Sequence, residues 1–263
     1  MIGEIMSAAS ISVNESPLVL YALRRADDAL ILGHRLSEWC GHAPVMEEDM
    51  ALANMALDLI GQARELYSYA ARVEGANNDE DKLAYLRDVR QYRNLLLVEQ
   101  PNGDFAQTIV RQFFYSAFAD PYWRAMMASK DETLAAIAAK SEKESAYHLR
   151  HASEWVIRLG DGTDESHRRV QAAIEDLWAF TGELFHSDET DKALITENVA
   201  IDPERLREGW TQTVFHVLQT ATLTSPESAW MQKGGRLGHH SEHLGHLLSE
   251  LQSLQRSFPG ATW

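Results

Sequence analysis

Acids and histidines recur along this chain at helical spacing. Asp27, His34 and Glu38 stand seven and four residues apart, and Asn54, Asp58, Gly61 and Glu65 follow at steps of four, three and four. Further on, Leu134, Ile137, Ser141, Glu144, His148, Trp155 and Leu159 form a stripe that is apolar at both ends and polar in the middle. Residues three or four apart share a helix face, so these spacings bring carboxylates and imidazoles towards one mid-height. Unpaired ionisable groups cost several kcal/mol each when buried, so such a middle must be paired, hydrated or filled by metal. The metal chemistry of such a place is that of two irons held by a Glu from each of two helices and a Glu-x-x-His pair from each of two others.

Tested against that template, the residues mostly fail. Glu38 supplies the first acid. The second helix offers Asp58-Leu-Ile-Gly61, a shorter acid with no side chain where imidazole belongs. The third has no Glu; its acids are Asp104 and Asp120. The fourth offers Glu144-Ser-Ala-Tyr147, with Tyr in the His position and His148 one residue late, roughly 100° further round the helix. The expectation is a degenerate di-iron centre made of Glu38, Asp58, Gly61, Asp120, Glu144, Tyr147 and His148, with no metal, no cofactor and no catalytic residue in this chain. The alternative is an autonomous metalloenzyme in which Glu38, Asp58, Glu144 and His148 hold one or two metals in altered geometry. Two other groups could carry chemistry. Glu183-Leu-Phe-His186 is a literal Glu-x-x-His, and the spacing of His239, His243 and His246 would put three imidazoles on one helical face, which could bind zinc. Cys40 falls at a helix C-terminus, where the dipole disfavours thiolate.

Positioning these groups requires long helices. The spacing predicts helices over 17–40 and 47–73, a long connection over 76–103 with a short helix near 82–92, then helices over 104–129, kinked at Pro121, and from a Ser129/Glu132 capping box to 159. Three more are expected near 166–186, 203–220 and 241–256. Two long helices, a long connection and two more long helices define an all-α, ferritin-like four-helix bundle with one long crossover and additional C-terminal helices. Residues 1–15 read as a flexible tail and 16–263 as a single domain.

Composition narrows the function classes. Of 263 residues, 24 are Lys or Arg and 39 Asp or Glu, a formal net charge of −15. That balance argues against tracking nucleic-acid phosphates or docking on anionic lipid. It also disfavours a module that itself binds acyl-CoA or another anion, unless a local pair such as Arg168-Arg169 forms a basic pocket. One cysteine excludes an intrachain disulfide and fits a cytoplasmic protein. No apolar run approaches the roughly 20 residues of a membrane span.

Three stretches carry a resemblance. Leu30-Ile-Leu-Gly-His-Arg-Leu-Ser-Glu-Trp-Cys-Gly-His-Ala-Pro44, Ala56-Leu-Asp-Leu-Ile-Gly-Gln-Ala-Arg64 and Gly238-His-His-Ser-Glu-His-Leu-Gly-His246, continuing to Pro259-Gly-Ala-Thr-Trp263, together resemble the family of structural subunits of phenylacetyl-CoA epoxidase. The likeness runs from about Asn14 to Trp263. It implies a ferritin-like structural subunit that pairs with a homologous ferritin-like catalytic subunit, which carries the di-iron centre and the acyl-CoA substrate. It further implies a multicomponent system that uses oxygen and NADPH-derived electrons, delivered through a reductase, to epoxidise phenylacetyl-CoA in aerobic phenylacetate degradation. Partner-facing residues in that reading include Phe113, Phe114, Tyr115, Phe118 and Trp123, which read equally well as core, and the chain could form a homo-oligomer when alone.

Overall fold

The computed structural model describes residues 10–75, 77–227 and 230–261, and among them every regular element is helical. Helix α1 (Pro17–Ser37) starts where the Ser16 side chain accepts from the Val19 amide and Pro17 takes the first helical position. Helix α2 (Met46–Glu74) carries Glu47, Glu48 and Asp49 in its first turn, favourable against the helix dipole, and stops at Gly75, whose φ of 68° frees it to cap. The crossover holds two short helices, α3 (Glu80–Tyr85) and α4 (Leu96–Glu99). Asp104 then caps α5 (Phe105–Met126) and Asp131 caps α6 (Glu132–Gly160). Five further helices complete the chain: α7 (Asp164–Trp178), α8 (Glu189–Thr196), α9 (Arg207–Thr220), α10 (Glu242–Leu251) and α11 (Ser253–Ser257).

Cross-helix contacts fix the arrangement. Asp27 meets Tyr67 while Gly33 faces Ala56 and Ile60, so α1 and α2 are antiparallel. Tyr21 meets Tyr122 while Trp39 meets Phe105, so α1 and α5 are antiparallel as well. His148 meets Asp58 and Lys140 meets Glu65, which sets α6 antiparallel to α2. This is a ferritin-like bundle whose crossover must travel its full length.

Buried charges tie the crossover to α1. Asp27, fully buried, accepts from the Tyr67 hydroxyl at 2.5 Å and the Arg93 amide at 2.7 Å, and pairs with the equally buried Arg87. Asp28 accepts from the Leu95 amide at 2.8 Å and from Arg236 at 2.7 and 2.9 Å. Glu99 holds His240 at 2.8 Å and the Ser241 amide at 2.7 Å, so the C-terminal segment is fastened to the crossover. Gly235 lies so close to Asn94 O that a Cβ there would stand 2.2 Å from it.

Several expectations change. The helix expected over 104–129 contains Pro121 as expected but stops at Met126. The cap before α6 is Asp131, which accepts from the Thr133 and Leu134 amides at 3.0 and 2.9 Å, while the Ser129 hydroxyl donates to Val199 O at 2.6 Å and accepts from the Asp131 amide at 3.1 Å. The predicted helix over 82–92 breaks into α3 and a short 3₁₀ turn, and α8 fills a stretch predicted to be connection. Helix α8 exists because Asp188 caps it and, with Asp191, pairs with buried Arg24 of α1. Phe113, Phe114, Tyr115, Phe118 and Trp123 are all buried, so they are core and not a partner face. Phe114 packs with Trp178 and Trp210 at ring separations of 5.7 and 5.9 Å. Of the predicted tail, residues 1–9 lie outside the described residues; Ile11 donates to Leu86 O at 3.2 Å and Asn14 to Glu74 at 2.8 Å.

Candidate functional site

The polar middle of the bundle lies between α2 and α6. Running along these antiparallel helices, Glu48 meets His151 at 2.9 Å, Asp58 meets His148 at 3.0 Å, Gln62 donates to Glu144 at 2.8 Å and Lys140 to Glu65 at 2.6 Å. Glu144 and His148, four apart on α6, therefore both face α2. His148 is buried, with Asp58 closing it from the rim. Burial pushes the Glu144 carboxyl above the usual carboxylate range and the Asp58 charge adds to this, against the lowering effect of the Gln62 hydrogen bond.

The other members of the predicted centre are elsewhere. Glu38 sits past the end of α1, paired with Arg35 at 2.9 Å and accepting from Asn102 at 2.8 Å. Asp120 on α5 pairs with Arg124 at 3.0 Å; burial raises its carboxyl, and Arg124 opposes the rise. Tyr147 points outward, with its ring beside those of His148 and His151, and Gly61 faces open space. The structure thus brings together Asp58, Glu144 and His148, turns the neighbouring Tyr147 outward beside His148, and engages Glu38 and Asp120 with other partners.

Two irons would need several carboxylates converging with imidazoles on one point. Among the described residues no three His, Cys, Asp or Glu side chains converge so as to hold a metal ion. The buried side-chain polar atoms of α5 and α6 without a partner among the described residues are Arg111 Nε, Gln112 Oε1, Ser141 Oγ and His151 Nδ1, and none of them is a carboxylate oxygen. The residues present do not fit a di-iron centre.

The remaining candidates resolve into structural roles. Buried Glu183 accepts from the Leu96 and Gly234 amides, both at 2.9 Å, whereas His186 is exposed. Helix α10 begins at Glu242, so His239 and His240 precede it and the three imidazoles do not share a helix face. Arg168 and Arg169 are both engaged by Glu165, and Arg169 also by Asp104, which removes the basic pocket. Sequence reasoning missed several buried charges, Asp28, Arg87, Glu99 and Arg236 among them. A signal existed: Asp27-Asp28 interrupts an otherwise apolar run from Ala26 to Leu32.

Fold and seam together define a ferritin-like helical protein with a line of polar pairs between α2 and α6. Over 79% of this chain and 94% of the other, its fold resembles that of a Synechococcus protein with aldehyde deformylating oxidase activity, at a TM-score of 0.52 and 16% identity. Residues 6–263 match the family model described as phenylacetic acid catabolic protein. The chain is 52% identical, over 94% of its length and 99% of the relative's, to the C component of the 1,2-phenylacetyl-CoA epoxidase of Escherichia coli (strain K12), one of that enzyme's subunits. The chain belongs to the phenylacetic acid catabolic protein family.

Proposed function

We propose that this chain is the structural, non-catalytic subunit of a multicomponent di-iron monooxygenase that epoxidises phenylacetyl-CoA. In this reading it supports a ferritin-like catalytic subunit that holds the irons and the acyl-CoA. The name of the Escherichia coli relative supports the enzyme system. The observation that carries the non-catalytic role is the dispersal of the acids: Glu38 is bound to Arg35 and Asn102, Asp120 to Arg124, and only Asp58, Glu144 and His148 share a seam. What the bundle supplies is rigidity. Its seam pairs and buried ion pairs hold long helices in fixed register, and such a body positions a neighbour's helices from outside.

The competing reading, an autonomous metalloenzyme, draws on Asp58, Glu144 and His148 lying together. It lacks a fourth ligand at that place, because Glu38 is committed to Arg35 and Asn102. No helix among the described residues is long and apolar enough to cross a membrane. The single cysteine, Cys40, is an exposed free thiol, which supports a reducing, cytoplasmic setting.

The test is reconstitution with the purified catalytic subunit and reductase. Phenylacetyl-CoA turnover is expected with both ferritin-like chains present, and none with this chain alone. Turnover by this chain and reductase without the other would overturn the proposal.

A further inference from the structure

Helix α2 carries two apolar stripes. The inner one, including Leu52, Met55, Leu59 and Leu66, is buried in the bundle. The outer one reads Met46, Met50, Ala53, Leu57 and Ile60, at steps of four, three, four and three. This is the alternation of a seam that receives another helix. Met46, Met50 and Leu57 are 74, 57 and 66% exposed, with Ala53 and Ile60 half-buried between them. Single exposed apolar residues are ordinary; three in helix-pairing register on one face, with two half-buried apolar residues between them, are not. Beyond Ile60 the stripe opens into a groove of about 880 Å³ between α2 and α6, where Gly61, Ser68 and Ala136 alternate with charged residues of both signs, Arg64, Glu65, Arg72 and Lys140 among them. Small side chains there let a second backbone approach closely.

The flanks choose the occupant. Glu47 and Asp49 border the stripe at its N-terminal end, and the single cation between residues 46 and 64, Arg64, already lies 3.7 Å from Glu80. A second copy would bring the same acids and another −15 of charge. We propose that the outer face of α2 is the docking seam for one helix of a partner subunit, apolar along its contact line and flanked by Lys and Arg. This rests on the structural-subunit reading and names the surface that serves it.

The test titrates purified catalytic subunit of the proposed epoxidase against wild-type chain, Met50→Glu/Leu57→Glu, Glu47→Lys/Asp49→Lys and, as control, Trp230→Ser, which alters a 75% exposed residue off this helix. Thermal unfolding of each chain alone confirms folding. The first double variant is expected to bind at least ~100-fold more weakly, the charge reversal ~10-fold more weakly, and the control as wild type. Wild-type affinity in Met50→Glu/Leu57→Glu would overturn the seam while leaving the function reading intact. A wild-type chain that dimerises alone and that the same variant makes monomeric would assign the face to a second copy, also overturning it. Failure of wild-type chain to bind would overturn the function reading, and this inference with it.

Discussion

Single acidic side chains of the bundle are engaged by neighbouring arginines: Glu38 by Arg35, Asp120 by Arg124 and Asp27 by Arg87. Asp27 is the strongest case: an acid in a helix stripe shared with His34 and Glu38 turns out to be fully buried against Arg87 and Tyr67. Removing one partner of such a pair strands the other charge, so Asp27→Asn or Arg87→Met should destabilise by about 3–5 kcal/mol in urea unfolding. His240 gives a pH signature. Burial disfavours its charged form, yet the hydrogen bond and charge of Glu99 outweigh this and raise its pKa above the ordinary 6.5. A raised basic group contributes stability fully below its unfolded pKa and loses it as pH climbs through the folded value. The wild-type advantage in thermal midpoint over His240→Gln should therefore shrink from pH 6 towards pH 9. Glu144 has the opposite sense. Its raised carboxyl opposes ionisation in the folded state, so Glu144→Gln, which keeps an oxygen for Gln62, should unfold at no lower midpoint at pH 7.

At the scale of elements, long apolar stripes made the four bundle helices legible in the sequence, because burial on one face dictates a 3.6 period. The short elements were not. Helix α8 owes its place to Arg24 of α1, and Asp131 caps α6 while the Ser129 hydroxyl bridges the Asp131 amide and Val199 O; the Arg24 and Val199 contacts are invisible to local spacing. The candidate site was half legible for the same reason. The α6 stripe places Glu144 and His148 together, but nothing local says that Glu38 is claimed by Asn102 from the crossover. The crossover is held by backbone proximity as well as charge. Gly235→Ala would drive a Cβ into Asn94 O, so loss of roughly 1–3 kcal/mol of stability is expected, with faster amide exchange over residues 94–99.

For the whole molecule, the net charge of −15 gains a meaning. Many acids are spent internally, on Arg24, Arg87 and Arg236 and across the α2–α6 seam, and none of these groups assembles a ligand set. The bundle is cross-braced by hydrogen bonds and ion pairs, which is the property the proposed scaffold role draws on. The direct measurement is metal content: the purified chain is loaded anaerobically with Fe(II), desalted and analysed for iron. Far less than one iron per chain is expected, unchanged in Asp58→Asn or His148→Gln. Two irons per chain, lost in those variants, would contradict a scaffold without a metal centre.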